Sequence, residues 1–153
     1  MNIQKIDTPK QKEYICNTIL RSLPNWFGIE DAITDYVNKT QSMPFWAAYI
    51  KDAPVGFITI KNHNQYTSEV YVMAVLSEYH RQGIGKQLIK QCENFSKKNG
   101  MEYLTVKTLD KSVHSESYEK TRNFYLAIGF RPLEVFPLLW DKDNPCLFLV
   151  KHI

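Results

Sequence analysis

The sequence has few cysteines, and they are not grouped in a way that indicates a disulfide framework or a zinc site. Cys16, Cys92 and Cys146 are an odd number of thiols without paired spacing. The four histidines also lack the spacing of metal ligands. We therefore expect a protein without a metal, from a reducing compartment, whose cysteines pack as small hydrophobic side chains.

The sequence also lacks a large excess of charge of one sign and long apolar segments. The net charge is only +3, and the single basic run is Lys97-Lys98, so we expect no nucleic-acid partner. The longest uncharged apolar run, Val70–Leu76, is too short to cross a bilayer, and Met1–Asp7 has no apolar signal core. These absences predict a cytoplasmic protein without a membrane partner.

No repeat, low-complexity segment or linker interrupts the chain, so its length predicts a single domain, 1–153. Strand-like and helix-like segments alternate along it. The predicted strands are 3–6, 45–50, 55–60, 66–76, 103–108, 130–139 and 146–151. The predicted helices are 9–23, with Thr8 as N-cap and Pro9 at the first helical position, 28–39, 87–98, with Ile84 on its apolar face, and 118–128. This order, β-α-α-β-β-β-α-β-α-β-β, predicts an α+β fold in which helices flank a mixed, mainly antiparallel sheet.

A glycine-containing segment, His80–Lys86, lies between the strand-like run Val70–Leu76 and the helix-like run Gln87–Lys98. Glycines at such a junction let backbone N–H groups approach a ligand, and the start of a helix adds free N–H groups and a positive dipole. The segment therefore predicts a diphosphate-binding turn. The alternative is an ordinary strand-to-helix turn in which Arg81 and Lys86 are merely solvated.

Two common phosphate motifs do not fit this segment. A P-loop needs Ser or Thr after Gly-Lys and a first glycine five positions before the second, but the chain has Gln87 and His80 there. A dinucleotide fingerprint needs a third glycine where the chain has Leu88. A different kind of phosphate-binding turn remains.

Two segments resemble signatures of the GNAT N-acetyltransferase superfamily. Val75–Gly85 resembles its acetyl-CoA-binding motif, which is Arg or Gln, any two residues, Gly, any residue, and Gly or Ala; His80 replaces the first residue. Phe124–Phe130 is similar to its second signature, a tyrosine four residues before Gly-Phe. The resemblance implies a GNAT-like fold and an enzyme that transfers acetyl from acetyl-CoA to a primary amine, without a metal or a covalent intermediate.

The resemblance leaves the acceptor open. A small-molecule amine is expected ahead of a peptide or protein, and relatives are often homodimers. An alternative from another class is a non-catalytic acyl-CoA-binding regulatory module. A third hypothesis, acetylation of the amine of aminoacyl-tRNA, is disfavoured by the nearly balanced charge.

The resemblance also implies which residues bind the coenzyme. Its diphosphate would lie on backbone N–H groups of the glycine segment, and its amide-containing arm would pair with the end of the preceding strand, beside a splay in the sheet. A backbone N–H near Val75 could polarise the thioester carbonyl. Tyr118 stands where relatives often have an asparagine that contacts the arm. The expected coenzyme-binding residues are Met73, Ala74, Val75, Arg81, Gln82, Gly83, Ile84, Gly85, Lys86 and Tyr118.

Two residues are catalytic candidates. Glu69 lies six residues before Val75, so both side chains share one strand face, and its position resembles that of the family's general base. The alternatives are a structural glutamate paired with a cation and a bound water as the base. Tyr125 matches the family's general acid, which protonates the coenzyme sulfur. Its alternative role is a core aromatic.

Acceptor choice is expected to depend on the first two helices, on the turn around His63 and on the loop before Tyr118, where His114 is a further candidate. Nearby aromatic residues and acidic residues could receive a cationic amine. Ordinary amphipathicity explains the same pattern more simply. These residues are Trp26, Phe27, Glu30, Asp31, Asp35, Trp46, Tyr49 and Trp140.

Overall fold

Strands and helices follow one another in the predicted order. The computed structural model describes all 153 residues. The strands are β1 (Asn2–Lys5), β2 (Phe45–Ile50), β3 (Ala53–Asn62), β4 (Thr67–Val75), β5 (Tyr103–Leu109), β6 (Arg131–Asp141) and β7 (Asn144–His152), and the helices are α1 (Pro9–Arg21), α2 (Glu30–Lys39), α3 (Ile84–Lys98) and α4 (Glu116–Ala127). The seven strands are hydrogen-bonded in the order β1-β2-β3-β4-β5-β7-β6. The α+β fold class is confirmed.

The turn between β2 and β3 is shorter than the sequence predicts. Lys51 and Asp52 alone form it, both with positive φ, and Ile50 then pairs with Ala53. Two consecutive left-handed residues give the twist that a two-residue hairpin requires. As a result β3 begins at Ala53 and includes Pro54, where the sequence predicted a loop.

Two compact units divide the chain. The first comprises residues 1–61 and 70–95, and the second comprises residues 62–69 and 96–153. The single domain expected from the chain length stays a prediction.

The first unit has a core built from α1, α2 and the central strands. Along α1, Ile15, Ile19 and Leu20 recur at helical spacing and are almost completely buried. Phe45 of β2 and Phe57 of β3 stack with ring centroids 5.1 Å apart and are fully buried. The helices and strands therefore share one apolar interior.

The second unit is organised by β7, which pairs with β5 on one side and β6 on the other, antiparallel in both cases. Leu104 of β5 and Leu149 of β7 are buried, and so is Phe130, directly after α4. β6 lies at the edge of the sheet and is exposed along nearly its whole length. Several of its exposed side chains are large and apolar, and they are Leu133, Val135, Leu138, Leu139 and Trp140.

None of the three cysteines forms a disulfide and all are fully buried, which confirms that they pack as small hydrophobic residues. Burial raises the pKa of Cys16 and of Cys146 to about 11, so both thiols are protonated at neutral pH. None of the helices is long and apolar enough to cross a membrane.

Candidate active site

The glycine-containing segment His80–Lys86, which we call the glycine loop, joins β4 to α3. The Gly83 carbonyl accepts a hydrogen bond from the Gln87 N–H at 3.1 Å, so helical bonding begins at Gly83 and α3 starts at Ile84, the first residue of its predicted apolar face. Arg81 has φ +63° and Gly83 has φ +82°. Glycine adopts such an angle without strain, whereas Arg81 does so at a cost in free energy that is typical of binding loops.

This backbone fits a diphosphate. The first-turn N–H groups at Ile84, Gly85 and Lys86 have no partner within the helix, and the helix dipole makes this end positive. Arg81 and Lys86 are exposed and add two cationic side chains. The loop thus offers backbone donors and positive charge in one short segment.

His80 turns back into the protein. Its Nε2 lies 2.6 Å from the Val75 carbonyl oxygen, and its ring meets the Trp26 ring edge-on at a centroid distance of 5.5 Å. The departure from the motif therefore has a structural consequence: a side chain that could contact a ligand instead ties the loop to the end of β4.

The end of β4 is packed tightly against β3. Met73 and Val75 are half-buried and Ala74 is buried. A Cβ placed on Gly56 would come within 3.1 Å of the Ala74 carbonyl oxygen and of the Val75 side chain. The Leu76 N–H also donates to the Val55 carbonyl at 2.8 Å, which fixes the strand where the loop begins.

Glu69, on β4, has a buried carboxylate with two partners. Its side chain is 3% exposed, and its Oε1 lies 2.6 Å from His63 Nε2 and 3.3 Å from Lys107 Nζ. A buried carboxylate requires such partners because burying an unpaired charge is costly. We call Glu69, His63 and Lys107 the Glu69 cluster.

The turn that carries His63 is ordered by its own hydrogen bonds. The Asn64 side chain accepts from the N–H groups of Tyr66 and Thr67 at 2.8 and 2.9 Å, and the His63 N–H donates to the Thr67 carbonyl at 3.0 Å. Ser68 Oγ donates to Asn62 Oδ1 at 2.7 Å. These bonds fix the backbone on both sides of the imidazole.

Lys107 approaches the cluster from β5. Its ammonium lies 5.2 Å from the centre of the Phe148 ring, an arrangement that favours a cation. Its side chain is 26% exposed, so Lys107 is partly shielded from water. It supplies the positive charge nearest to the Glu69 carboxylate.

Tyr125 is buried near the end of α4. Its ring packs edge-on against Phe124 and Phe130, with centroid distances of 5.3 and 5.4 Å, and only 5% of the residue is exposed. Packing of this kind locks the ring orientation. A fixed ring suits either a core aromatic or a hydroxyl held for proton transfer.

The start of α4 holds Tyr118 and His114. Ser115 caps the helix by accepting from the Tyr118 N–H at 3.2 Å, and burial raises the pKa of Tyr118. His114 is exposed at a cleft of about 600 Å³, which Asp110 and Arg122 also line. Local contacts lower the pKa of Asp110 against the effect of burial; the hydrogen bonds from Ser112 are the largest of them.

The residues proposed to select the acceptor mostly have partners within the first unit. Arg21 donates two hydrogen bonds of 2.7 Å to the Glu30 carboxylate, and Lys39 pairs with Asp35 at 3.0 Å. Trp46 is buried against Phe95. For these residues, the simpler explanation by amphipathicity accounts for the contacts seen.

Sequence reasoning missed the part played by Lys107 and the direct contact of His63. His63 and Glu69 flank one turn, so their approach could have been found from the hairpin. Lys107 lies 38 residues from Glu69 in the chain, and no pattern in the sequence connects the two.

Comparison with known proteins identifies the family. A sequence model of the acetyltransferase (GNAT) domain matches residues 41–132, a span that contains Glu69, the glycine loop and Tyr125. The chain belongs to the GNAT acetyltransferase family. The resemblance, the enzyme class and acetyl-CoA as the family's acetyl donor are thereby confirmed.

Individual GNAT proteins share only low sequence identity with this chain. The uncharacterized N-acetyltransferase YsnE of Bacillus subtilis (strain 168) is 26% identical over 109 residues, which cover 71% of this chain and 69% of YsnE. Among solved structures, a GNAT-family protein from Desulfovibrio desulfuricans has a TM-score of 0.82 at 17% identity, with coverage of 99% and 98% of the two chains. An aminoglycoside 6'-N-acetyltransferase complexed with coenzyme A has a TM-score of 0.78 at 21% identity, with coverage of 99% and 97%. At these identities the structures show the shared fold.

The Glu69 cluster leads to a prediction about stability. Lys107→Met leaves the buried carboxylate without its ammonium, so we expect the free energy of unfolding to fall by about 1–3 kcal/mol. In Glu69→Gln the negative charge is already gone, so adding Lys107→Met should lower the free energy of unfolding clearly less than it does in the wild type. Denaturant unfolding of the four proteins in this cycle measures the coupling.

Lys120→Met is the matched control, because Lys120 is exposed on α4. It should leave stability nearly unchanged. If Lys107→Met lowered the free energy of unfolding equally in the wild type and in Glu69→Gln, the ammonium would not stabilise the carboxylate.

Proposed function

We propose that this GNAT protein transfers acetyl from acetyl-CoA to a primary amine of a small molecule. The observation that carries the proposal is the glycine loop, in which Arg81 and Gly83 adopt positive φ directly before the first turn of α3. The small-molecule acceptor is favoured by the likeness to aminoglycoside 6'-N-acetyltransferases. The cytoplasmic location expected from the sequence is part of the proposal.

In this proposal the coenzyme diphosphate lies on the N–H groups of residues 81–86, and the coenzyme arm runs along Met73–Val75. The Val75 carbonyl already accepts from His80, so Val75 would meet the arm through its N–H. Arg81 and Lys86 then balance the diphosphate charge.

The chemistry requires one proton to be removed and one to be supplied. Only a neutral amine has the lone pair that attacks the thioester carbonyl, so a base must accept a proton from the amine. We assign the base to the Glu69 cluster. Tyr125 protonates the departing sulfur, an assignment that rests on its place four residues before Gly129-Phe130.

Binding of the coenzyme is tested by Gly85→Asp. The new side chain and its negative charge enter the diphosphate-binding turn, so we expect acetyl-CoA affinity to fall at least about tenfold. Titration calorimetry with acetyl-CoA measures the change.

Lys97→Asp places the same side chain at an exposed position in the last turn of α3, at the end away from the diphosphate-binding turn, and serves as the control. It should bind acetyl-CoA as the wild type does. A wild type that does not bind acetyl-CoA would contradict the proposed coenzyme site.

The general acid is tested by Tyr125→Phe. Loss of the hydroxyl should lower kcat at least about tenfold and leave the affinity for acetyl-CoA nearly unchanged, because the ring and its packing remain. Steady-state release of free coenzyme A, together with calorimetry, separates the two effects. Tyr103→Phe, at an exposed tyrosine on β5, is the control.

The same experiment separates the enzyme from a regulatory acyl-CoA-binding module. An enzyme releases free coenzyme A in the presence of an amine from a panel of aminoglycosides, polyamines and peptides. A module binds acetyl-CoA equally well in the wild type and Tyr125→Phe, and neither protein turns over. Transfer to peptides alone would reject the small-molecule acceptor.

We also propose that two copies of the chain associate through β6. This edge strand exposes a row of large apolar side chains, with Leu138 74% exposed. Exposed apolar patches of this kind often mark interfaces, and closed dimers bury them symmetrically.

Leu138→Arg tests the dimer, since a charge in the buried centre of an interface should turn dimer into monomer. Sedimentation velocity gives the mass of the particle in solution. Ile29→Arg, at an exposed apolar residue outside β6, should remain a dimer. A monomeric wild type at high protein concentration would reject the interface.

A further inference from the structure

The Glu69 carboxylate is poorly placed to take a proton from a substrate directly. Only 3% of its side chain is exposed, whereas 34% of the His63 side chain is exposed. Its Oε1 also accepts from both His63 and Lys107. An amine that approaches the Glu69 cluster from solvent therefore meets the imidazole first.

The geometry also defines which imidazole nitrogen is available. A carboxylate oxygen only accepts hydrogen bonds, so the hydrogen between His63 and Glu69 belongs to Nε2. In a neutral ring the other nitrogen, Nδ1, then has a lone pair. Nδ1 makes no hydrogen bond within the chain, and it is therefore free to accept a proton.

Lys107 makes this arrangement chemically useful. A buried carboxylate whose only neighbour was His63 would favour an imidazolium, which cannot accept a proton. The Lys107 ammonium at 3.3 Å already balances the carboxylate charge. The imidazole is thus not required as a counter-charge, and the hydrogen bonds of the 62–68 turn hold it in place.

We propose that His63 Nδ1 is the base that accepts the proton of the acceptor amine, and that Glu69 is a positioning residue that holds the ring through Nε2. This inference rests on the proposed function and assigns its base. The amine nitrogen forms a bond to the thioester carbon, and the carbon–sulfur bond breaks. The amine proton passes to Nδ1, while the sulfur keeps the bond's electron pair and takes a proton from Tyr125. Solvent then restores both groups.

A spectroscopic test does not require turnover. Two-bond proton–nitrogen NMR spectra of the ¹⁵N-histidine-labelled protein, with the His63 signals assigned from their absence in His63→Gln, report the tautomer. We expect hydrogen on Nε2 in the wild type and a loss of this preference in Glu69→Gln, because an amide both donates and accepts. Hydrogen on Nδ1 of the neutral ring would overturn the inference.

A kinetic test follows for the amine that the wild type acetylates best. His63→Ala should lower kcat about a hundredfold with little change in KM for acetyl-CoA. Added imidazole should recover at least about a tenth of the lost kcat. Glu69→Gln should cause little further loss in the His63→Ala protein, because the two residues act as a unit. His152→Ala, at an exposed histidine of the same unit, should change nothing.

The outcomes separate this inference from the proposed function. His63→Ala with wild-type kcat, or with a loss that imidazole does not restore, overturns the role of His63 while acetyl transfer itself stands. A wild type that acetylates no amine contradicts the proposed function, and the tautomer of His63 then still decides whether Glu69 holds the ring as inferred.

Discussion

The burial of one carboxylate constrains much of the second unit. Glu69 faces an interior in which a lone negative charge would be strongly unfavourable, so the protein must bring donors to it. The ordered turn before β4 supplies an imidazole, and β5 supplies an ammonium packed on an aromatic ring. Replacing such a buried group of charges as a whole by apolar side chains of similar volume is often neutral or stabilising, so stability alone does not require it. The proposed chemistry, which needs a histidine held in one orientation, gives the arrangement a role beyond stability.

The glycine loop differs from the Glu69 cluster because its binding groups are backbone N–H groups. The positive φ of Gly83 and the start of α3 determine where the N–H groups point. Side chains secure this backbone: His80 bonds to the end of β4, and Trp26 covers its ring. The replacement of the family's usual Arg or Gln by His80 therefore changes how the loop is held and leaves its backbone donors in place.

Local sequence signals predicted a large part of this structure. Pro9 and the apolar spacing of α1 located the first helix, and the β-rich run Phe45–Ile50 predicted β2 with its observed ends. Errors arose where backbone conformation overrides residue preference. Lys51 adopts a left-handed conformation that lysine rarely takes, and the turn is shorter for that reason. The pairing of Lys107 with Glu69 depends on sheet topology, which local periodicity does not contain.

The composition of β6 has a consequence for solubility. An apolar strand at the edge of a sheet is a template on which other chains can add without limit. Pro132 and Pro137 lie in this strand, and a proline has no N–H group to donate to a neighbouring strand. Side-chain packing between two copies remains favourable, whereas a continuous ladder of backbone hydrogen bonds is interrupted. The strand through which we propose that two copies associate thus also works against fibres, which protects the protein when its concentration is high.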